Sequence, residues 1–262
     1  MRMESLDGVG EAANRVPLVT LDFWLVKLLA VTMGETAADY LAVNLGLGLT
    51  TTSVIMSALL AVFIILQFSQ RRYVPWAYWT CVVMISIVGT LITDNLVDNL
   101  GVRLETTTIF FAAALAVTFV LWYFWEETLS IHSIVTTQRE IWYWLAILFT
   151  FSLGTAAGDL VAEKFELGYL ATGLLFLAIV MAFWAAYLLK ANAVLTFWLA
   201  YIFTRPLGAS FGDLLSQPVE YGGLGFGTIL TSLLFLILIV GTVAFMTVTG
   251  RGREYQGAEA RY

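Results

Sequence analysis

The chain has 262 residues, of which 60% are hydrophobic and only 12% charged, with 13 basic and 19 acidic side chains and a net charge of −6. Soluble domains carry about 25% charged residues, so this composition excludes a disordered chain, a nucleic-acid binder and an ordinary water-soluble domain. A lipid solvent removes the need for a charged surface, and at about 20 apolar residues per crossing the sequence predicts an all-α integral membrane protein with eight transmembrane helices.

Residues 1–16 are polar and slightly acidic, with no apolar h-region, so the first span is expected to direct membrane insertion itself. Spans are expected near 18–45, 49–68, 76–100, 106–126, 141–165, 169–189, 192–216 and 226–248. Together they form a transmembrane domain over 17–248, followed by a polar tail over 249–262. Short glycine-bearing turns (Gly46-Leu47-Gly48, Gly101, Gly168, Gly222-Gly223) alternate with more polar connections at Ser69–Pro75, Thr128–Glu140 and Lys190–Asn192. The single cysteine, Cys81, allows no intrachain disulfide, and the single histidine, His132, excludes the His-rich sites that zinc and copper use. On the side holding both termini lie Arg2, Arg15, Arg71, Arg72, Arg139, Lys190, Arg251, Arg253 and Arg261; the other side has Arg103 and Lys164. The positive-inside rule then predicts cytoplasmic termini.

One motif recurs four times. An aromatic-Trp pair stands at Phe23-Trp24, Tyr78-Trp79, Tyr143-Trp144 and Phe197-Trp198. Ten residues after each Trp comes a glycine (Gly34, Gly89, Gly154, Gly208), and five residues later an aspartate (Asp39, Asp94, Asp159, Asp213). The repeats run over about 17–70, 71–130, 136–190 and 191–248, each with room for two spans. Two helices return the chain to its starting side, so the units read as helical hairpins in parallel orientation around a pseudo-symmetric centre. The Trp residues are expected in the interfacial belt.

The aspartates carry the candidate chemistry. Each lies 15 residues beyond its Trp, about 22 Å along a helix, past the midplane of the bilayer. A carboxylate there costs roughly 2.5–3.5 kcal/mol on insertion scales, which makes an intramembrane acid a functional candidate. Glu35, Asp98 and Glu163 lie four residues from Asp39, Asp94 and Asp159, on the same helical face, whereas Gln217 takes that place beside Asp213. Asp98, Glu163 and Glu166 suit either the site or the outer surface. Only Lys27 and Arg205 are basic within the spans, and they are expected to tune the charge or act as tethered cations. The unbalanced acids call for protons or metal cations as counter-ions. Thr51, Thr107, Thr172 and Thr228, at the starts of the even helices, are candidate hydroxyl ligands. Small residues spaced by four, beginning at each repeat glycine, suit close helix crossing. Pro206 points to a broken seventh span beside Asp213.

The stretches GTLITDNLVDNLG, FSLGTAAGDLVAE and TRPLGASFGDLLSQP, with the fourfold Trp pattern, resemble a family of bacterial membrane proteins of unassigned function. That family is built from four tandem two-helix repeats, each with a characteristic tryptophan, and the resemblance covers about residues 17–248. It implies eight spans and a bacterial inner-membrane location, and it brings no substrate or catalytic residue.

The sequence therefore predicts a transporter or exporter of a cation, with no resident cofactor. Asp39, Asp94, Asp159 and Asp213 would form the central site and the metal ligands, with Glu35, Asp98 and Glu163 accessory. Hard, oxygen-liganded ions fit such donors, Mn²⁺ first among them, and exchange of protons for metal would couple transport to protons. The alternatives are a proton or monovalent-cation pathway through the same carboxylates, and a non-transporting scaffold. No nucleophile elbow, HExxH or phosphate-cradling loop points to an enzyme. The expected partners are the bilayer, the transported cation and protons, with no nucleic acid; a homo-oligomer is compatible.

Overall fold

The computed structural model describes residues 13–252. Arg2, Arg253 and Arg261 of the charge count, most of the polar segment 1–16 and most of the tail 249–262 lie outside the described residues. Within them the chain forms eight α-helices: α1 (Leu21–Asp39), α2 (Leu49–Phe68), α3 (Pro75–Asp94), α4 (Leu104–Glu126), α5 (Thr137–Asp159), α6 (Gly168–Leu188), α7 (Ala193–Ser216) and α8 (Thr228–Thr249). Six of these, α2 to α6 and α8, are long and apolar enough to cross a membrane. The other two carry the charges that matter below: Asp22, Lys27, Glu35 and Asp39 in α1, and Arg205 and Asp213 in α7.

The starts of the odd helices are written locally. Thr20, Thr136 and Asn192 cap α1, α5 and α7 by accepting from the amides of Phe23, Arg139 and Leu195, and Pro75 opens α3 where its missing N–H costs nothing. Helices α1, α3, α5 and α7 form an inner ring in which each touches the next and α7 returns to α1. The outer helices pack one repeat forward: α2 on α3, α4 on α5, α6 on α7, and α8 back on α1. The expected hairpins are therefore opened out. Each inner helix spends two sides on its ring neighbours, and the place left on it is filled by the preceding repeat's outer helix. The shell is apolar, with Val54, Ile65, Ile109, Val120, Ile237 and Val240 all more than half exposed, the surface a lipid solvent accepts.

The repeat glycines mark the inner crossings. Gly34 faces Ser86, Gly89 faces Phe151, Gly154 faces Arg205 and Gly208 faces Val31. Each partner stands three residues before the next repeat's glycine, so one contact is used at all four junctions. A Cβ at any of the four positions would overlap its neighbour's side chain. Gly208→Ala, which meets the Val31 side chain and the Thr32 backbone, is expected to cost about 1–3 kcal/mol. A lowered thermal midpoint of the purified protein checks it, with Gly241→Ala, where nothing lies near an added Cβ, as the control.

The aromatic-Trp pairs close the same ring at the opposite end. The Phe23 ring meets Trp79 at 5.7 Å, Tyr78 meets Trp144 at 5.4 Å, Tyr143 meets Trp198 at 6.2 Å and Phe197 meets Trp24 at 5.8 Å. Trp79, Trp144 and Trp198 are buried and Trp24 is half-buried, which corrects their assignment as interfacial anchors. Their indoles fill the gap between adjacent inner helices, where aromatic pairs gain beyond simple area burial. Residues 14–16 also belong to the fold. Asn14 donates to the Ile131 carbonyl at 3.1 Å, Val16 is buried, and Arg15 pairs at 2.8 Å with Glu140, which Gln67 and Trp144 also bond.

Candidate functional site

The four inner helices stack their repeat-equivalent residues in layers along the axis. From the aromatic end these are the rings just described, then the Lys27 level, the glycine crossings, the residue after each glycine, and last the aspartates.

The residues after the glycines are Glu35, Thr90, Thr155 and Ala209. The guanidinium of Arg205, reaching up from α7, donates from Nη1 to Glu35 Oε2 at 3.0 Å and from Nη2 to Thr155 Oγ1 at 2.9 Å and to Thr90 Oγ1. Thr90 also donates to Glu35 at 3.1 Å. Arg205 is 0% exposed and Glu35 5%, so this is a buried ion pair whose charges are met by hydrogen bonds from two further helices. One side chain of the fourth repeat thus ties together the other three. Glu35 is thus the counter-ion of Arg205.

Lys27 is a second, separate cation. It is fully buried, and its Nζ donates to the Tyr201 carbonyl at 2.7 Å and to Thr204 Oγ1, with the Tyr201 ring 4.0 Å away. Among the described residues its hydrogen-bond partners are neutral and it forms no ion pair. The aromatic face offers the attraction a cation gains from a ring quadrupole. Lys27 lies below the acids, so it does not neutralise Asp39 on its own helix.

The aspartates gather at the far ends of the inner helices. Asp213 is buried, and Asp39, Asp94 and Asp159 are half-buried. Each lies within electrostatic reach of Glu35; Asp94 and Asp213 are also repelled by both Asp39 and Asp159. Asp39 accepts a hydrogen bond from Gln217 at 3.1 Å, so the residue standing in the companion position of the fourth repeat serves the first. Among the described residues the carboxylates of Asp94, Asp159 and Asp213 form no hydrogen bond or ion pair. The two bases nearest that end, Arg103 and Lys164, both go to Glu105, at 3.2 and 2.6 Å. Also among the described residues, no group of three or more Asp, Glu, His or Cys side chains is close enough to hold a metal ion. The expected four-aspartate coordination sphere is therefore a looser ring of acids in this conformation.

Asp98, Glu163 and Glu166 are exposed, and of these Asp98 is within electrostatic reach of Asp39 and Asp94, and Glu163 of Asp39, Asp159 and Asp213. The hydroxyls divide. Thr107 and Thr172 are buried, and Thr107 bonds back to the Arg103 carbonyl. Thr51 is exposed, and Thr52, one residue on, takes the buried place; Thr228 is half-buried and bonds Asn44 at 2.8 Å. Thr52 stands 13 residues after Asp39, the spacing of Thr107 from Asp94 and of Thr172 from Asp159, so the buried hydroxyl keeps one register through the first three repeats.

The backbone irregularity lies elsewhere than expected. Helix α7 runs unbroken through Pro206, which packs beside Gly158 of α5. Instead, each of the first three aspartates is followed at once by a single π-helical turn, at Tyr40–Asn44, Asn95–Asn99 and Leu160–Lys164. Such turns loosen the i→i−4 ladder and recur at functional positions. The sequence carried a hint of the Arg205 knot that residue-type counting missed: the position after the glycine reads Glu, Thr, Thr, Ala, polar in three repeats and empty in the one that supplies the arginine.

No curated protein and no solved structure matches the chain. The family model of a repeat of unknown function, DUF347, matches it four times, over residues 23–73, 77–128, 142–192 and 196–251. Each match opens within a residue of an aromatic-Trp pair, so the family's unit is the one that builds the inner ring and its outer helix. The chain belongs to the DUF347 repeat family, with four tandem copies.

Proposed function

We propose that the protein moves a cation across a bacterial inner membrane. In this reading all eight helices span the bilayer as four parallel two-helix repeats around a pseudo-symmetric centre. Both termini are cytoplasmic, which the nine-to-two bias of basic residues supports, and the aspartate end faces outward. The observation that carries the reading is the gathering of Asp39, Asp94, Asp159 and Asp213 at one end of the ring, with the carboxylates of the last three forming no ion pair or hydrogen bond among the described residues. Unpaired acids held within reach of one another repel, and a passing cation relieves that repulsion. A divalent ion relieves most of it, so Mn²⁺ is the first ion to test. The ring must contract to coordinate such an ion, and the π-turns beside three of its members are the places where the backbone can give.

The test is flux into proteoliposomes carrying a divalent-sensitive dye, with a panel of Mn²⁺, Mg²⁺ and Ca²⁺, and of Na⁺ and K⁺ by tracer. Uptake of a divalent ion that stops on substitution of the aspartates supports the reading. Flux of monovalent ions alone moves it to the monovalent pathway, and no flux of any ion ends it.

A further inference from the structure

The Arg205 guanidinium stands in a nest of three oxygen-bearing side chains, one from each of the other repeats: the Glu35 carboxylate at 3.0 Å and the hydroxyls of Thr155 at 2.9 Å and Thr90. One carboxylate and two hydroxyls are the donors that small hard cations choose. The cation now in the nest is delivered by a side chain. The fourth repeat departs from the others in two ways that fit this use. Ala209 contributes no ligand at the level of the nest, and Arg205 replaces Val31, Ser86 and Phe151 of the equivalent positions. Its stem lies against Gly154, where any Cβ would overlap it. The Nε of Arg205 is buried with no hydrogen-bond partner, so the guanidinium is held by its two tips alone. A purely structural arginine at 0% exposure is expected to satisfy that donor too.

We infer that Glu35, Thr90 and Thr155 form a binding site for a monovalent, sodium-sized cation, and that Arg205 is its built-in competitor. The inference rests on the cation-transport reading and adds to it a second site, for a coupling ion. The charge balance selects the class. Glu35 carries one negative charge, and a single positive charge neutralises it whether it comes from Arg205 or from an ion. A divalent ion would leave an uncompensated charge at low dielectric. The displaced guanidinium has a destination, because Asp159 in the next layer already feels the Arg205 charge. Occupation of the nest by a free cation and of the acid ring by Arg205 would exclude the cargo ion from the ring. Return of Arg205 to Glu35 would readmit it.

Thermal unfolding of the detergent-purified full chain, titrated with NaCl against choline chloride at constant ionic strength, tests this. Arg205→Gln is expected to need about tenfold less Na⁺ than wild type for half of its stabilisation, since a competitor is gone. Arg205→Gln combined with Glu35→Gln is expected to show no Na⁺ response. Should Arg205→Gln not fold, Arg205→Lys decides: an ammonium cannot span all three oxygens as the planar fork does, and its Na⁺ requirement is expected to fall about threefold. An unchanged Na⁺ requirement in the variant that folds, or a response that survives loss of the Glu35 charge, overturns the site. The flux assay judges transport separately. The expected Na⁺ response without flux of any ion removes the transport reading and keeps the site. Flux with an unchanged Na⁺ response removes the site and keeps transport.

Discussion

Asp94→Asn and Asp159→Asn, made singly, are expected to cut cation flux by roughly tenfold or more, the equivalent of about 1.4 kcal/mol of lost ion binding, while the folded protein becomes more stable. The opposite signs follow from the geometry. Among the described residues these carboxylates bond to nothing, and each is repelled by Asp39 and by Glu35. Removing one charge removes repulsion and a desolvated ion, so the thermal midpoint rises or holds. An aspartate serving as a structural cap or ion-pair partner behaves the other way, and its loss lowers the midpoint. Asp39→Asn provides the internal contrast, because Asp39 alone of the four accepts a hydrogen bond, from Gln217. Its stability gain is expected to be the smallest of the set. Flux and unfolding measured on the same preparations check both signs together. Parallel loss of flux and stability would assign the ring to packing.

Glu35→Ala is expected to be the most destabilising single substitution in the chain, at about 3–5 kcal/mol. It strands the Arg205 guanidinium, fully buried, with only two hydroxyls to meet its charge. Arg205→Ala strands Glu35 in turn, though Thr90 still donates to it, so the loss is expected to be smaller. The double variant removes both charges and is expected to be more stable than Glu35→Ala alone. A double-mutant cycle on unfolding midpoints measures this coupling directly. A double variant whose loss equals the sum of the two single losses would show that the two side chains act independently. Lys27→Met makes a separate comparison, since it removes a buried cation whose hydrogen bonds go to the neutral oxygens of Tyr201 and Thr204. Its coupling to Glu35 is expected to be near zero.

Much of the inner ring could be read from the primary structure, because its contacts are repeat-periodic. The glycine ten residues after each Trp is the crossing point, and the residue three before it is what crosses there. A single alignment of the four copies therefore names both sides of the contact. The outer helices could not be placed that way. Helices α2, α4, α6 and α8 are apolar around most of their circumference, so no polar stripe says which inner helix each prefers. Short turns suggested their own partners, and packing on the next repeat won because that is where the free groove lies. The tryptophans were misplaced for a related reason: an aromatic near a span end fits an interfacial anchor equally well until the neighbouring ring's position is known. Thr51 and Thr52 differ by one residue, and counting 13 residues on from Asp39, as from Asp94 to Thr107 and from Asp159 to Thr172, picks out Thr52 as the buried one. The Arg205–Glu35 pair was beyond reach because its members stand 170 residues apart, and four acids on other helices competed for the same base.

The forward step of the outer helices has a consequence for how the molecule is made. The packing partner of α1 on its outer side is α8, and the arginine that answers Glu35 arrives 170 residues after it. At about 5–20 residues per second, Glu35 waits on the order of ten to thirty seconds for its counter-charge. During that interval α1 has neither the charge partner nor the cover that keeps its acids and Lys27 out of lipid. Of the eight helices, the first to be made is thus the last to be completed. Assembly closes the circle by returning to its origin, with the chain's most charged helix as both the opening and the final seam.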